Sequence, residues 1–186
     1  MGGHGREADG AGLNAPANLR LMDLQPALRG ELVELRPLRE SDRDALQAVA
    51  SDPLIWEQHP VKERAEPDGF RRFFDEALAS GGALLAMDGR TGEPIGSSRF
   101  FGHDAGSREV EIGWTFLARK YWGGRYNGEM KRLMLDHAFR FVDSVVFLIA
   151  PTNLRSQRAV EKIGAVREGT ARRGDRDNVV YRLHRP

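Results

Sequence analysis

Short runs of hydrophobic residues, bounded by charged residues, glycine or proline, predict four β-strands in the first two thirds of the chain. The runs occupy residues 30–38, 83–88, 94–102 and 108–117. Only short turns separate the last three runs, and two short turns between three consecutive strands predict an antiparallel meander.

Hydrophobic residues at helical spacing predict three helices. The first follows a candidate cap at Ser41 and Asp42, and the second lies between Pro67 and Gly81. The third and longest covers residues 124–142. Its apolar stripe consists of Met130, Leu133, Met134, Ala138 and Phe141.

The last third of the chain combines strands with one short helix. Residues 143–151 form a nearly continuous apolar run, which is typical of a strand buried on both faces. Asn153 caps a predicted helix that ends at Gly164, and residues 165–173 and 178–185 form a predicted hairpin. A meander followed by alternating strands and helices predicts a mixed α/β (α+β) fold with a central sheet.

The length of 186 residues predicts one folded domain and not two. Residues 1–18 are rich in glycine and alanine and contain few large apolar side chains, so we expect a disordered N-terminal tail. The remaining residues, 19–186, would form the single domain.

Charge and composition exclude several classes of function. The formal net charge is only +1, with acids and bases interleaved, which argues against a nucleic-acid-binding protein. The chain has no cysteine, and no pair of its five histidines has the spacing of a helical zinc motif, so we expect no metal. Since no apolar run approaches the roughly 20 residues of a membrane helix, we expect a cytoplasmic protein without membrane contact.

The junction between the strand 108–117 and the long helix gives the first indication of chemistry. Gly123 and Gly124 precede the helix, and a glycine turn lets the backbone approach a ligand closely. The free N–H groups and the dipole of the first helical turn favour a phosphate, to which Lys120 and Arg125 could add positive charge. The same residues also fit an ordinary strand-to-helix turn, and they match neither the P-loop nor the dinucleotide fingerprint.

A second strand-to-helix junction holds Asn153 and Ser156. Side chains at such a position, where a strand ends and a helix begins, can point into a cleft. The alternative is local, because Asn153 could simply cap the helix and Ser156 could be a solvated residue of its first turn.

Together, the two junctions and the order of elements around them resemble the GNAT superfamily of N-acetyltransferases. The resemblance covers residues 32–181 and is closer to the RimJ/RimL-like branch, whose best-known members acetylate the N-termini of ribosomal proteins. The matching segments are LRPLRESD (35–42), EIGW (111–114), YWGG (121–124) and the Asn-x-x-Ser block with its following helix and Gly-Ala (153–169).

The resemblance implies a mixed but mainly antiparallel GNAT-like sheet flanked by helices, in which the strand 111–117 splays from its neighbour near the CoA site. Acetyl-CoA would be the co-substrate, with no metal. The pyrophosphate turn would fall at residues 120–125, where Arg125 occupies the position of a usually small residue. The implied CoA-binding residues are Phe116, Leu117, Lys120, Gly123, Gly124, Arg125, Tyr126, Asn127, Asn153 and Ser156.

The same resemblance implies direct transfer of the acetyl group from CoA to a neutral primary amine. Ser156 would protonate the departing thiolate, and a backbone N–H of the splayed strand would polarise the thioester carbonyl. The general base is open among Glu111, Asp175, His59 and a chain of waters. His137, on the apolar stripe of the long helix, is expected to be a core residue.

The acceptor is open as well. The family branch suggests a protein or peptide N-terminus, whereas the variable segment near residues 53–80 would also allow a polyamine, an amino acid or an antibiotic. Trp56, Phe101 and Trp114 could wall an acceptor pocket or pack in the core.

A CoA-binding sensor without catalysis is the alternative from another class of function. Exposed edge strands such as the C-terminal hairpin would permit a homodimer.

Overall fold

A computed structural model describes residues 21–186, and the tail expected at residues 1–18 lies outside this range. The strands are β1 (Leu28–Arg29), β2 (Val33–Pro37), β3 (Ala83–Asp88), β4 (Pro94–Asp104), β5 (Glu109–Leu117), β6 (Ser144–Ile149), β7 (Val166–Arg173) and β8 (Arg176–His184). The helices are α1 (Arg43–Ala50), α2 (Pro67–Ala79), α3 (Arg125–Ala138) and α4 (Leu154–Glu161). Short 3-10 turns fill several connections.

All eight strands lie in one sheet, in the order β1-β2-β3-β4-β5-β6-β8-β7. Every neighbouring pair is antiparallel except β5 and β6, which are parallel. The predicted meander of β3, β4 and β5 and the predicted C-terminal hairpin are therefore confirmed. The parallel pair arises because α3 returns the chain from the end of β5 to the start of β6.

Hydrophobic clusters cover both faces of the sheet. On one face, Met130 and Met134 of α3 pack with side chains such as Leu84 of β3. On the other face, the next residue of β3, Leu85, packs beneath α1 and α2 with residues such as Phe70. Successive strand residues point to opposite faces, so one hydrophobic strand contributes to both clusters. Burial of each such large side chain contributes about 2 kcal/mol to folding.

The structure corrects two predicted boundaries and one cap. The long helix ends at Ala138 and not at residue 142, because the next residues form a turn whose N–H groups return to Ala138. The first predicted strand begins only at Val33, after a two-residue strand that is too short to show a pattern. Asp42 makes no cap bond to α1; its carboxylate instead binds Arg36 and the backbone N–H of Arg39.

Within residues 21–186, no helix combines the length and the apolar character that crossing a membrane requires.

Candidate active site

A gap opens between β5 and β6 at the centre of the sheet. The paired positions run only from Glu109 and Ser144 to Glu111 and Val146, whereas β5 continues to Leu117. The two parallel strands therefore diverge toward their carboxyl ends, as the resemblance implied. Because α3 and α4 follow these two ends, two helix N-termini border the gap.

A β-bulge accompanies the divergence. Between the pairs Arg99–Gly113 and Ser97–Phe116, two residues of β5 oppose a single residue of β4. Trp114, the first of these two residues, has a φ of 52°, a left-handed conformation that a non-glycine residue adopts only at an energetic cost. A bulge bends its strand and increases the local twist, which is a physical reason for β5 to leave β6 here.

The glycine turn before α3 leaves an open, donor-rich surface. Gly123 has a φ of 69°, and Gly124 is the N-cap residue of α3 without any side-chain cap. A Cβ atom added at Gly123, Gly124 or Gly128 would meet no other atom within 4 Å. The N–H groups of a first helical turn have no partner within the helix, so those of residues 125–127 fit the oxygens of a pyrophosphate.

Side chains around this turn differ in their suitability as ligands. Lys120 is largely exposed and lies 3.8 Å from Glu93, and Arg125 is exposed as well. Tyr126 points away from the turn, because its hydroxyl donates a hydrogen bond to Asp88 at 3.3 Å. Tyr126 can therefore serve a ligand through its backbone N–H, whereas Lys120 and Arg125 can supply charge.

The end of β5 is held by an aromatic side chain that sequence reasoning did not single out. The indole N–H of Trp122 donates to the carbonyl oxygen of Leu117 at 2.8 Å, and the guanidinium of Arg155 lies 4.0 Å from the Trp122 ring. Trp122 thus connects the end of β5 with the first turn of α4. Phe116 is buried against Trp56.

A cleft of about 550 Å³ adjoins the same end of β5. Val49 and Ile55 line it on the α1 side, and Lys120 lines it on the other. An ion pair between Asp52 and Arg119 bridges its two sides.

At the start of α4, Asn153 is the N-cap residue that the pattern predicted. Its side-chain oxygen accepts a hydrogen bond from the backbone N–H of Ser156 at 3.1 Å. Ser156 itself is half-buried in the first turn. The capping interaction fixes Ser156 at the border of the gap, so the local and the functional interpretations of Asn153 are compatible.

Comparison with known proteins identifies the family. Residues 33–166, which extend from β2 to the start of β7, match the model of the acetyltransferase (GNAT) domain. The chain belongs to the GNAT acetyltransferase family. It therefore contains an acetyltransferase domain of the kind that uses acetyl-CoA.

Three similar proteins show how far the likeness extends. The Bacillus subtilis (strain 168) protein YkkB is 37% identical over 100 residues, which are 52% of this chain and 58% of YkkB. An acetyltransferase from Agrobacterium tumefaciens str. C58 is 27% identical with a TM-score of 0.67, over 92% of this chain and 100% of that one. Mycobacterium smegmatis RimJ, solved with CoA-disulfide, is 20% identical with a TM-score of 0.63, over 82% and 81%. At that identity, RimJ shows the fold alone.

Glu111, a candidate for the general base, already has a partner in the structure. Glu111 is only 8% exposed, and both of its oxygens accept hydrogen bonds from Arg173, at 2.9 and 2.5 Å. Glu111 belongs to β5 and Arg173 to the end of β7, 62 positions apart in sequence. A carboxylate whose two oxygens are both bound by one arginine is suited to holding that arginine in place and is poorly suited to accepting a proton.

The other two candidate bases have different environments. Nδ1 of His59 accepts a hydrogen bond from the backbone N–H of Val61 at 2.9 Å. Burial, with the nearby charge of Arg64, lowers the pKa of His59 to about 3, so the ring stays neutral and weakly basic. Asp175 lies in the exposed turn between β7 and β8, 3.8 Å from Arg176.

Lys131 of α3 is a buried amine that the sequence did not reveal. It is 5% exposed, and its Nζ donates a hydrogen bond to Oγ1 of Thr115, in the bulge, at 2.7 Å. The ring of Phe147 on β6 lies 5.4 Å away, so Lys131 lies where β5 and β6 diverge. Burial lowers the pKa of Lys131 to about 7.

His137 has the structural role that was expected. It is 4% exposed; its Nε2 donates to the carbonyl of Asp23 at 2.7 Å, and its Nδ1 accepts from Arg140 at 2.5 Å. Both ring nitrogens of this buried histidine therefore have hydrogen-bond partners.

Proposed function

We propose that this enzyme transfers the acetyl group directly from acetyl-CoA to a primary amine that binds on the α1/α2 side of the splayed strands. The observation that carries this proposal is the gap between β5 and β6, bordered by the N-termini of α3 and α4. A pyrophosphate would bind the turn at Gly123 and Gly124, and an acetyl group would lie near Ser156. Proximity of the two reactants in such a gap supplies a large part of the rate gain.

The proposed CoA contacts follow from the surroundings of each residue. The N–H groups of Arg125, Tyr126 and Asn127 would bind phosphate oxygens, with Lys120 adding charge. The backbone of Phe116 and Leu117 would pair with the pantetheine arm. Asn153, while it caps α4, would contact the same arm through its free amide atoms.

We assign proton transfer at the thiol to Ser156 and proton removal from the amine to water. Ser156 would donate a proton to the thiolate as the acetyl group leaves. Glu111 is held by Arg173, His59 is too weakly basic, and Asp175 is exposed. A chain of waters is therefore the better proton acceptor, and Glu111 would position Arg173.

Two classes of amine acceptor have support. A protein or peptide N-terminus, as in the RimJ/RimL-like branch, has support from the sequence resemblance over residues 32–181. A small amine has separate support from two buried arginines, Arg64 and Arg99.

One assay tests the proposed activity. The protein is incubated with acetyl-CoA and a panel of amines and N-terminal peptides, and release of free CoA is measured together with the mass of the product. We expect CoA release that depends on the acceptor. Acetyl-CoA binding without CoA release for any amine would instead indicate a sensor.

The role of Ser156 has its own test. We expect Ser156→Ala to lower kcat roughly 10- to 100-fold, with little change in the KM for acetyl-CoA, because protonation of the leaving group occurs in the transition state. The exposed Ser107→Ala is the control and should retain full kcat. A full kcat and an unchanged pH profile for Ser156→Ala would remove Ser156 as the acid.

A further inference from the structure

Arg99 is a buried cation whose hydrogen-bonding edge has no partner. It lies on β4 and is 4% exposed. Within residues 21–186, its Nε and Nη2 atoms are buried and make no hydrogen bond. Nearly all buried polar atoms in proteins are hydrogen-bonded, so an unpaired guanidinium edge at an active site requires an explanation.

A second buried arginine lies in the same region. Arg64 is 9% exposed, and the described side chains place no carboxylate within salt-bridge distance of either guanidinium. Burial lowers the pKa of both Arg64 and Arg99 to about 10, and the negative charge of Glu76 partly offsets this effect in each. The charge of Arg99 further lowers the pKa of Arg64. Both side chains therefore remain charged at neutral pH, close enough to repel each other.

His59 adds a third hydrogen-bond donor beside the guanidiniums of Arg64 and Arg99. Its Nδ1 accepts from the backbone N–H of Val61, so the proton of the neutral ring is on Nε2. That nitrogen lies 3.1 Å from Nη1 of Arg64, which brings two donors together. An acceptor atom from a ligand would relieve this arrangement.

Aromatic rings hold the two guanidiniums in place. Arg99 lies 4.4 Å from the ring of Trp114, and Arg64 lies 4.5 Å from the ring of Phe73. The rings restrict the side chains without supplying any acceptor, so the donors are ordered before a ligand arrives.

We propose that Arg99 and Arg64 form a subsite for a carboxylate on the acceptor, so that the enzyme acetylates a small amine that also carries a carboxylate, as amino acids do. This inference rests on the proposed acetyl transfer. The predicted alternative of an amino-acid acceptor is thereby favoured over a polyamine, whose cations these arginines would repel.

The unpaired edge of Arg99 has the geometry that a carboxylate requires. Nε and Nη2 form one side of the guanidinium and can bind two oxygens in parallel. Elsewhere in the protein, the same two atoms of Arg108 bind both oxygens of Asp143, at 2.6 and 3.1 Å. A ligand carboxylate on Arg99 would repeat this interaction.

The position of the cluster connects it with the reaction. Arg99 is paired with Gly113, immediately before the bulge at which β5 leaves β6. From the surface side, Arg173 lies 5.3 Å from the Trp114 ring that Arg99 contacts, and both Arg173 and Arg176 are partly exposed. Trp114 thus lies between the exposed end of β7 and the buried Arg99. Because Arg173 is already paired with Glu111, Arg99 is the arginine beside this ring that has unpaired buried donors.

The test uses matched acceptors and the full-length enzyme with acetyl-CoA. Each amino acid is compared with its carboxamide, and kcat/KM is corrected for the fraction of neutral amine. We expect the acids to be better acceptors than their amides by on the order of 10-fold or more, mainly through KM. Amino phosphonates and amino sulfonates serve as further arms, and a higher kcat/KM for either would overturn the choice of a carboxylate.

Variants separate the subsite from the general activity. Arg99→Met should abolish the preference for the acid while leaving the KM for acetyl-CoA unchanged. It should also fold, because it removes an unpaired buried charge. Arg99→Lys, which keeps the charge but not the two-atom edge, should retain only part of the preference. Arg72→Met, on the exposed face of α2, is the matched control and should behave as the wild type.

The outcomes are distinguishable. CoA release with acids and amides at equal kcat/KM, or an acid preference that survives in Arg99→Met, would overturn the carboxylate subsite but not the acetyl transfer. Absence of CoA release with any amine would overturn the proposed function itself.

Discussion

Buried cations are the unusual residues of this enzyme. Arg64, Arg99 and Lys131 all lie within the protein near the splayed strands, and none has a carboxylate partner among the described residues. Burial of a charge without such a partner destabilises a fold, so these residues are expected to lower stability while serving the site.

Lys131 gives a prediction about stability and pH. Its pKa of about 7 in the folded state lies well below the ordinary value of 10.5, so the unfolded chain binds more protons between these two values. The stability of the wild type should therefore rise with pH across this window, by up to about 1.4 kcal/mol per pH unit. Lys131→Met should be more stable than the wild type near pH 7, by a few kcal/mol, and the advantage should shrink toward pH 10.

Urea unfolding at pH 7 and pH 9.5 measures this difference. Arg132→Met, at the next and largely exposed position of α3, is the control and should show no comparable pH dependence. An equal stability of Lys131→Met and wild type at both pH values would contradict a buried, weakly basic lysine.

At the scale of elements, the start of α3 combines a local role with the proposed binding of the pyrophosphate. Gly124 has an extended backbone (φ −104°, ψ −162°) and open space around its Cα, so any side chain fits there without strain. Sterics therefore do not require glycine at this position, whereas the proposed approach of a pyrophosphate to the helix N-terminus would favour it.

Gly124→Asp should separate these two roles. Asp is a good N-cap residue, so the stability should stay constant or rise by a few tenths of a kcal/mol. The added carboxylate would repel a pyrophosphate, so we expect the KM for acetyl-CoA to rise roughly 10-fold or more. Thermal unfolding and steady-state kinetics measure the two effects.

S-acetyl-pantetheine, which lacks the pyrophosphate, is the matched donor for this experiment. Its KM should be the same for the wild type and Gly124→Asp. A parallel rise of KM for both donors would show that this turn is not where the pyrophosphate binds.

At the scale of the whole molecule, one carboxylate ties the edge of the sheet to the helix that borders the site. Glu129 of α3 accepts hydrogen bonds from the backbone N–H groups of Glu31, Leu32 and Val33, at 3.1, 2.7 and 2.8 Å. Burial alone would raise the pKa of Glu129, but these three donors lower it below its ordinary value. The start of β2 and α3 are thereby held together.

We expect Glu129→Gln to cost about 1–2 kcal/mol at pH 7, because one acceptor oxygen is replaced by a donor. A depressed pKa stabilises the fold above the ordinary pKa of Glu and loses this effect as the pH falls through the lower folded value. The difference between variant and wild type should therefore shrink toward pH 3. Urea unfolding at pH 7 and pH 3.5 tests this, with the exposed Glu31→Gln as control.

Much of the fold was predictable because its signals are local. The run of residues 143–151 contained β6, and Asn153 caps α4 as its position predicted. The end of α3 was not predictable, because Phe141 continues the helical spacing of apolar residues after the backbone has already turned at Ala138. Hydrophobic periodicity reports which side chains are buried, not where the backbone hydrogen bonds stop.

Part of the candidate site was likewise predictable from the sequence, and part was not. Gly123, Gly124 and Ser156 were identified from two strand-to-helix junctions, since a junction is a local feature. Trp122 was visible in the sequence beside the glycines, but its bond to Leu117 depends on the angle at which the chain leaves β5. Lys131 lies next to the predicted apolar stripe, and no local pattern distinguishes it from an exposed lysine.

The sequence by itself therefore determined the elements, the two junctions and the acetyltransferase family, because periodicity, caps and short motifs act between neighbouring residues. Only the tertiary structure decided that Glu111 is paired with Arg173, and that Arg99 is buried with Nε and Nη2 unpaired. Each of these depends on side chains from separate strands or helices that meet in space, and the charge balance of such a cluster cannot be deduced from any one segment.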